Sequence, residues 1–214
     1  MSRDPVFFDF DGVVADSLPA MRAVYAAFLK EHGARPSRAE FDDLNGPALP
    51  EIVARLKAAH ALVPDAATLL ARYKALRLAA YGGRVKPFAD VTSVLERLRE
   101  TGHKCYLVTA SERDPVTAFL ERWDLGPNFQ DVICGEDVVQ GKPAPDLYQL
   151  SLDRSGADVL TSLAMEDSPN GVRSAVTAGL RTIGVHADSR QRKVLLGAGA
   201  WKVVASLKQA LEAL

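Results

Sequence analysis

Cysteine is nearly missing from this chain. Its 214 residues include two, Cys105 and Cys134, too few for a disulfide framework. Both fall in apolar, strand-like runs and so read as buried free thiols. Net charge is equally scarce. Twenty-six Lys and Arg against 27 Asp and Glu leave a formal charge of −1, which supplies no basic surface for nucleic acid or an anionic membrane. No apolar run approaches the ~20 residues that span a bilayer. The opening Met-Ser-Arg-Asp-Pro enters a strand directly, without the pattern of a signal peptide. Internal repeats and low-complexity segments are absent. The remaining composition, 48% hydrophobic and 25% charged, is that of an ordinary globular protein. The expectation is a soluble, cytoplasmic protein that binds neither nucleic acid nor membrane, built as one large domain or as a core with a smaller insert.

Short apolar runs alternate with helical patterns, which predicts an α/β fold with a parallel sheet covered by helices. The strand candidates are 5–10, 104–109, 131–134, 161–165 and 181–185, with 202–204 a weaker sixth. Helices are expected near 89–101, 115–123, 145–154, 169–178, 190–197 and 205–213. Boundary residues support several of them: Gly102 as a helix C-cap, and Asp114-Pro115 and Ser168-Pro169 as an N-cap followed by proline. Residues 15–86 break the alternation, with helical faces at Met21, Val24, Tyr25, Phe28 and Leu29, at Ile52 and Leu56, and at Leu69, Leu70, Tyr73 and Leu76. Asn45-Gly46-Pro47 and Val63-Pro64-Asp65 read as turns. This block reads as an all-helical cap inserted into a core formed by 1–14 and 87–214. The chain would cross between them near Val14–Asp16 and Gly82–Pro87, with Gly82-Gly83 flexible and Pro87 stiff.

The chemistry concentrates at strand ends. Val6-Phe7-Phe8 runs into Asp9-Phe10-Asp11-Gly12, and alternation along a regular strand puts Asp9 and Asp11 on one side. An Asp-x-Asp-Gly step also suits a plain strand exit, with Gly12 at positive φ and the carboxylates capping backbone N–H groups. Close carboxylates repel unless a cation separates them or one keeps a proton, so the pair also suits a metal ion, a nucleophile with its acid/base partner, or both. Thr109-Ala110-Ser111 offers a hydroxyl and exposed N–H groups at another strand end. In Gly141-Lys142-Pro143-Ala144-Pro145-Asp146, two prolines should hold the backbone extended and fix Lys142 where it can neutralise an anion. Glu166-Asp167-Ser168 ends a further strand with carboxylates. In a parallel sheet these C-terminal ends share one edge. Oxygen ligands without nearby His or Cys suit Mg²⁺ better than zinc. His32, His60, His103 and His186 lie outside these motifs and read as structural or surface residues.

Asp-Phe-Asp-Gly-Val, Val-Thr-Ala-Ser, Gly-Lys-Pro-Ala-Pro-Asp and Glu-Asp-Ser-Pro-Asn-Gly, in this order over residues 6 to about 186, resemble the four motifs of the haloacid dehalogenase-like hydrolase superfamily. The resemblance implies a Rossmann-like core with helices on both faces and a helical cap. It implies that Asp9 is a nucleophile forming an aspartyl-phosphate, and that Asp11 is the general acid and then the base. It further implies that Thr109, the Ala110 N–H and Lys142 bind the phosphoryl oxygens, with Lys142 also restraining Asp9. Mg²⁺ would be held by Asp9, the Asp11 carbonyl and Asp167, with Glu166 direct or through water. Asp16, Asp137 and Asp146 read as loop and helix-capping residues, and Asn170-Gly171 as the helix start.

An acid at Asp11 argues against a dehalogenase, whose halide needs no proton on leaving. No motif marks Lys30, Lys57 or Lys74 as the Schiff-base lysine of a phosphonoacetaldehyde hydrolase. A β-phosphoglucomutase is the closer rival, but Met21 stands where those mutases resemble one another in a His, and Gly46-Pro47-Ala48-Leu49 supplies no cap Arg. Asp16-Ser17-Leu18-Pro19 resembles the cap start of phosphoglycolate phosphatases. The expectation is a Mg²⁺-dependent phosphatase of a small phosphorylated metabolite, phosphoglycolate-like or a sugar phosphate, acting as a monomer or small homo-oligomer. Its cap would close over substrate and open to release product, with specificity from residues 45–49 and Arg22, Lys74 or Arg77. A catalytically silent phospho-ligand binder would have lost one of the key carboxylates, and all are present.

Overall fold

The computed structural model describes residues 3–44 and 49–212; the turn expected at Asn45-Gly46-Pro47 lies outside them. The elements are β1 (Arg3–Phe8), β2 (Ala15–Asp16), α1 (Leu18–Glu31), α2 (Arg38–Asp43), α3 (Leu49–His60), α4 (Ala66–Gly83), β3 (Lys86–Pro87), α5 (Val91–Glu100) and β4 (His103–Val108). There follow α6 (Arg113–Arg122), β5 (Phe129–Ile133), α7 (Asp146–Ser155), β6 (Leu163–Glu166), α8 (Pro169–Thr177), β7 (Arg181–Val185), α9 (Ser189–Gly197), β8 (Lys202–Val204) and α10 (Leu207–Leu211). Two compact units result, one of residues 1–16 with 86–214 and one of 17–85.

The first unit carries a six-stranded parallel sheet in the order β5-β4-β1-β6-β7-β8, the Rossmann-like arrangement. Val6, Phe7 and Phe8 of β1 are all fully buried, as a strand covered on both faces must be. After β1 the chain builds outward through β4 and β5, then returns to the other side of β1 with β6. The strand order therefore reverses at β1, and open α/β sheets form their clefts beyond the C-terminal ends of strands at such a point.

The other unit is helical, as periodicity predicts. Val24, Tyr25, Phe28 and Leu29 of α1 are buried with Leu69 and Tyr73 of α4, and the Phe28 and Tyr73 rings meet edge-on at 5.0 Å. The face of α3 runs through Val53 and Leu56, one residue round from the expected Ile52, which is half-buried. Asp65 caps α4 by accepting the Thr68 N–H at 2.9 Å.

Four local expectations need correction. Gly82 and Gly83 form the last turn of α4 instead of a flexible crossing. Both ends of the insertion are strands, since β2 pairs antiparallel with β3, Ala15 opposite Pro87 and Asp16 opposite Lys86. Helix α6 starts at Arg113, two residues before Pro115, so Asp114 lies in its first turn and is no N-cap. The Arg113 N–H is satisfied from a distance by Glu136 Oε2 at 3.0 Å, which lets the helix begin early. Finally, Cys134 follows β5 instead of lying in it. Gly102, at φ +83°, and Ser168 take the capping positions expected of them.

Candidate active site

Strand β1 ends at Phe8, but the ladder runs one residue further: the Asp9 N–H donates to Met165 O at 2.9 Å. Phe10 turns inward, fully buried and edge-on to Phe119 at 5.0 Å, and its carbonyl accepts N–H bonds from Val14 and Ala15. That buried aromatic anchors the loop that carries Asp9 and Asp11. Asp9 is almost wholly buried. Asp11 Oδ2 accepts the Ser111 hydroxyl at 2.6 Å, and Thr109 Oγ1 accepts the Ser111 N–H at 2.9 Å. Residues 109–111 are in turn tied to β5, since Thr109 N–H donates to Ile133 O. Ala110, between them, is exposed.

Lys142 sits on a tight turn, contrary to the extended segment that two prolines suggest. The Lys142–Pro143 peptide is cis, and the Ala144 N–H donates to Gly141 O at 3.0 Å. Its ammonium donates to Asp9 Oδ1 at 2.6 Å, to Glu166 Oε1 at 2.7 Å and to Val108 O at 2.9 Å. The side chain is 6% exposed. Glu166, the last residue of β6, is completely buried. The Tyr148 hydroxyl also donates to Glu166 Oε1, at 2.7 Å, and Lys142 Nζ lies 4.9 Å from the Tyr148 ring centre. Among the described residues Glu166 Oε2 has no hydrogen-bond partner.

Two glycines make room for this density of charge. Gly12 sits at φ +84°, and a Cβ there would overlap the Asp167 carboxylate. A Cβ on Gly171, in the first turn of α8, would overlap the Glu166 carboxylate. Position 171 therefore lets the acid lie against a helix N-terminus, where backbone dipoles favour negative charge. Asp9, Glu166 and Asp167 each bring a carboxylate oxygen within 4.8 Å of the others. The electrostatic consequence is marked. Burial, then the Glu166 charge, push the Asp9 carboxyl from 3.8 up to about 8, against the pull of Lys142. Burial followed by the Asp9 and Glu166 charges raises Asp167 well above the usual carboxylate range. One ammonium does not balance three acids, and a hard divalent cation with oxygen ligands would relieve the deficit.

The structure thus gathers Asp9, Asp11, Thr109, Ala110, Lys142, Glu166 and Asp167 at the ends of β1, β4 and β6. The Asp11 carboxylate pairs with Ser111, and its charge adds to the pressure on Asp9 and Asp167. Tyr148 is not legible as a site residue in the sequence, because a tyrosine at the start of an amphipathic helix looks like core. The available signal was its place six residues after Lys142, on the helix that the Gly-Lys-Pro turn launches. In the sequence Ser111 is visible only as part of its motif, with no signal for its partner. His60, which belongs to none of the motifs, bonds to Glu40 at 2.8 Å within the helical unit. Asp137 caps the Cys134 N–H and pairs with Arg113.

Residues 6–185 match the family model described as haloacid dehalogenase-like hydrolase. A phosphoglycolate phosphatase of Rhodospirillum rubrum is 31% identical over 90% of this chain and 84% of its own. A phosphorylated carbohydrates phosphatase of Thermotoga maritima is 27% identical over 94% of both chains. The crystal structure of CbbY from Rhodobacter sphaeroides in complex with phosphate superposes with a TM-score of 0.83 at 23% identity, covering 96% of this chain and 95% of that one; this last likeness speaks to the fold. The chain belongs to the haloacid dehalogenase-like hydrolases and is an enzyme.

Proposed function

We propose that the enzyme is a Mg²⁺-dependent phosphatase that hydrolyses a small phosphorylated metabolite, phosphoglycolate or a sugar phosphate, through an aspartyl-phosphate on Asp9. The observation that carries this reading is the Lys142 clamp on Asp9 together with the Ser111 bond to Asp11. A nucleophile and a separate acid/base are thereby given different partners. The names of the Rhodospirillum and Thermotoga relatives support the substrate class.

Asp9, Asp167 and the Asp11 carbonyl would hold Mg²⁺, with Glu166 as a direct or water-bridged contributor. The unpartnered Glu166 Oε2 and the raised Asp9 and Asp167 fit such an ion. When bound, Mg²⁺ would neutralise the carboxylates and the phosphoryl oxygens they face. An Asp9 oxygen attacks phosphorus as the bond to the leaving alkoxide breaks, and Asp11 gives that alkoxide its proton. Asp11 then takes a proton from water, whose oxygen attacks the aspartyl-phosphate and releases inorganic phosphate and Asp9. The Thr109 hydroxyl, the Ala110 N–H and Lys142 would hold the equatorial oxygens in place, which is most of what in-line phosphoryl transfer needs. Ser111, bonded to Asp11 Oδ2, keeps the acid oriented between its two tasks. Residues 17–85 would serve as the cap. Two buried free thiols and a metabolite substrate support a cytoplasmic enzyme, which would act as a monomer or a small homo-oligomer. None of the described helices is long and apolar enough to cross a membrane.

Phosphate release across a panel of phosphorylated metabolites, with Mg²⁺ or EDTA and with Asp9→Asn as the blank, tests the proposal. Release that needs the metal and disappears in the variant is expected. Release insensitive to Asp9→Asn would sink the reading, and glucose-phosphate isomer interconversion without release would replace it with a mutase.

A further inference from the structure

An ammonium has three protons to donate, and in this enzyme all three of Lys142 are already committed, to Asp9 Oδ1, Val108 O and Glu166 Oε1. A phosphoryl oxygen can therefore be bound by Lys142 only if one of these acceptors gives way. Asp9 is the reacting carboxylate and has to stay oriented toward phosphorus. Val108 O is fixed main chain at the end of β4. Glu166 Oε1 is the acceptor that has another donor in place, the Tyr148 hydroxyl at 2.7 Å. Glu166 is 0% exposed, so bulk water cannot make up a lost bond, and a buried carboxylate left short of donors carries a heavy desolvation cost. Tyr148 is itself fully buried. Its ring lies 4.9 Å from Lys142 Nζ, close enough to favour the ammonium while it shifts between acceptors.

We infer that Tyr148 is a positioning residue: its hydroxyl holds and satisfies the Glu166 carboxylate so that Lys142 can turn one N–H from Glu166 to a phosphoryl oxygen. The inference rests on the proposed phosphatase reading and adds to it a handover between two donors. It also gives the tyrosine hydroxyl a task that a phenylalanine of the same shape could not perform. By fixing Glu166 Oε1, the hydroxyl sets the orientation of a carboxylate that contributes to the cation site, and donors behind a metal's ligands commonly govern affinity about 10- to 100-fold.

Tyr148→Phe keeps the ring and deletes the donor. Calorimetric titration of wild type and Y148F with inorganic phosphate, with and without Mg²⁺, and separately with Mg²⁺ alone, reads the effect apart from turnover. Phosphate binding about tenfold weaker in Y148F, with circular dichroism unchanged, is the expected result, accompanied by weaker Mg²⁺ uptake. Equal phosphate affinity in the two proteins would overturn the inference. So would a Y148F chain that fails to fold, because the hydroxyl would then be a structural requirement. Wild type that takes up no Mg²⁺ removes the metal reading on its own, and the metal-free phosphate comparison still decides the role of Tyr148. Wild type that binds neither would overturn both.

Discussion

At Asp9 a single side chain combines burial, like-charged neighbours and one cation, and replacement by Asn should show what the carboxylate alone supplies. Asp9→Asn removes the nucleophile while preserving shape, so turnover is expected to fall at least ~10³-fold, measured by phosphate release at saturating Mg²⁺. Ser111→Ala tests the acid instead. The loss should grow with the basicity of the leaving group: up to ~10²-fold in kcat/KM for alkyl phosphates, within the range a general acid contributes, and little for p-nitrophenyl phosphate, whose leaving group needs no proton. An equal loss for both substrates would give Ser111 a merely structural place. Asp9, Asp11 and Lys142 are legible in the sequence because each lies in a short motif whose residue types have few other uses together. Ser111 and Tyr148 are not, because their meaning lies in partners 100 and 18 residues away. A hydroxyl has many possible local partners, and only the folded sheet selects one.

Helix α8 connects sequence and site most directly at the scale of elements. Ser168 accepts the Gly171 N–H at 3.0 Å, and that same Gly171 has no side chain in the space Glu166 occupies. Ser168→Ala is expected to cost about 1 kcal/mol of stability, read from denaturant midpoints. Gly171→Ala has the stronger outcome, since the added methyl must displace a buried carboxylate; Mg²⁺ affinity should fall along with stability. The end of α4 predicts the reverse. Gly82 and Gly83 are helical and exposed, with open space where a Cβ would go, so replacing either with Ala should stabilise by about 0.5–1 kcal/mol. Read from sequence, Gly-Gly suggests a flexible crossing, because glycine pairs are poor helix formers. Tertiary burial of neighbouring Ala80 and Tyr81 carries the helix through them. Helix α6 shows the same limit: no local rule reveals that Glu136 will satisfy the Arg113 N–H from 23 residues away.

Across the whole molecule, the clustered carboxylates tie stability to pH and to metal. Asp9 keeps its proton up to about 8 in the folded chain, against 3.8 ordinarily, so its contribution is complete below about 3.8 and is lost as pH rises through 8. Asp167 acts in the same direction. A bound cation opposes this loss by competing with those protons. The rise in Tm on adding Mg²⁺ should therefore be larger at pH 8 than at pH 5, and Asp9→Asn should flatten the difference; thermal scans at the two pH values check both. The parallel sheet and the helical block were legible because hydrophobic periodicity changes sharply near residues 15 and 86. The small β2–β3 ribbon was not, since two-residue strands have no period. That ribbon has a consequence for how such a chain can be rebuilt. Its paired ends, Asp16 opposite Lys86, form the stem of a hairpin whose loop happens to be a folded unit. An Asn-Gly turn joining them should shorten the protein to a self-contained sheet, and other folded units should be interchangeable at the same junction.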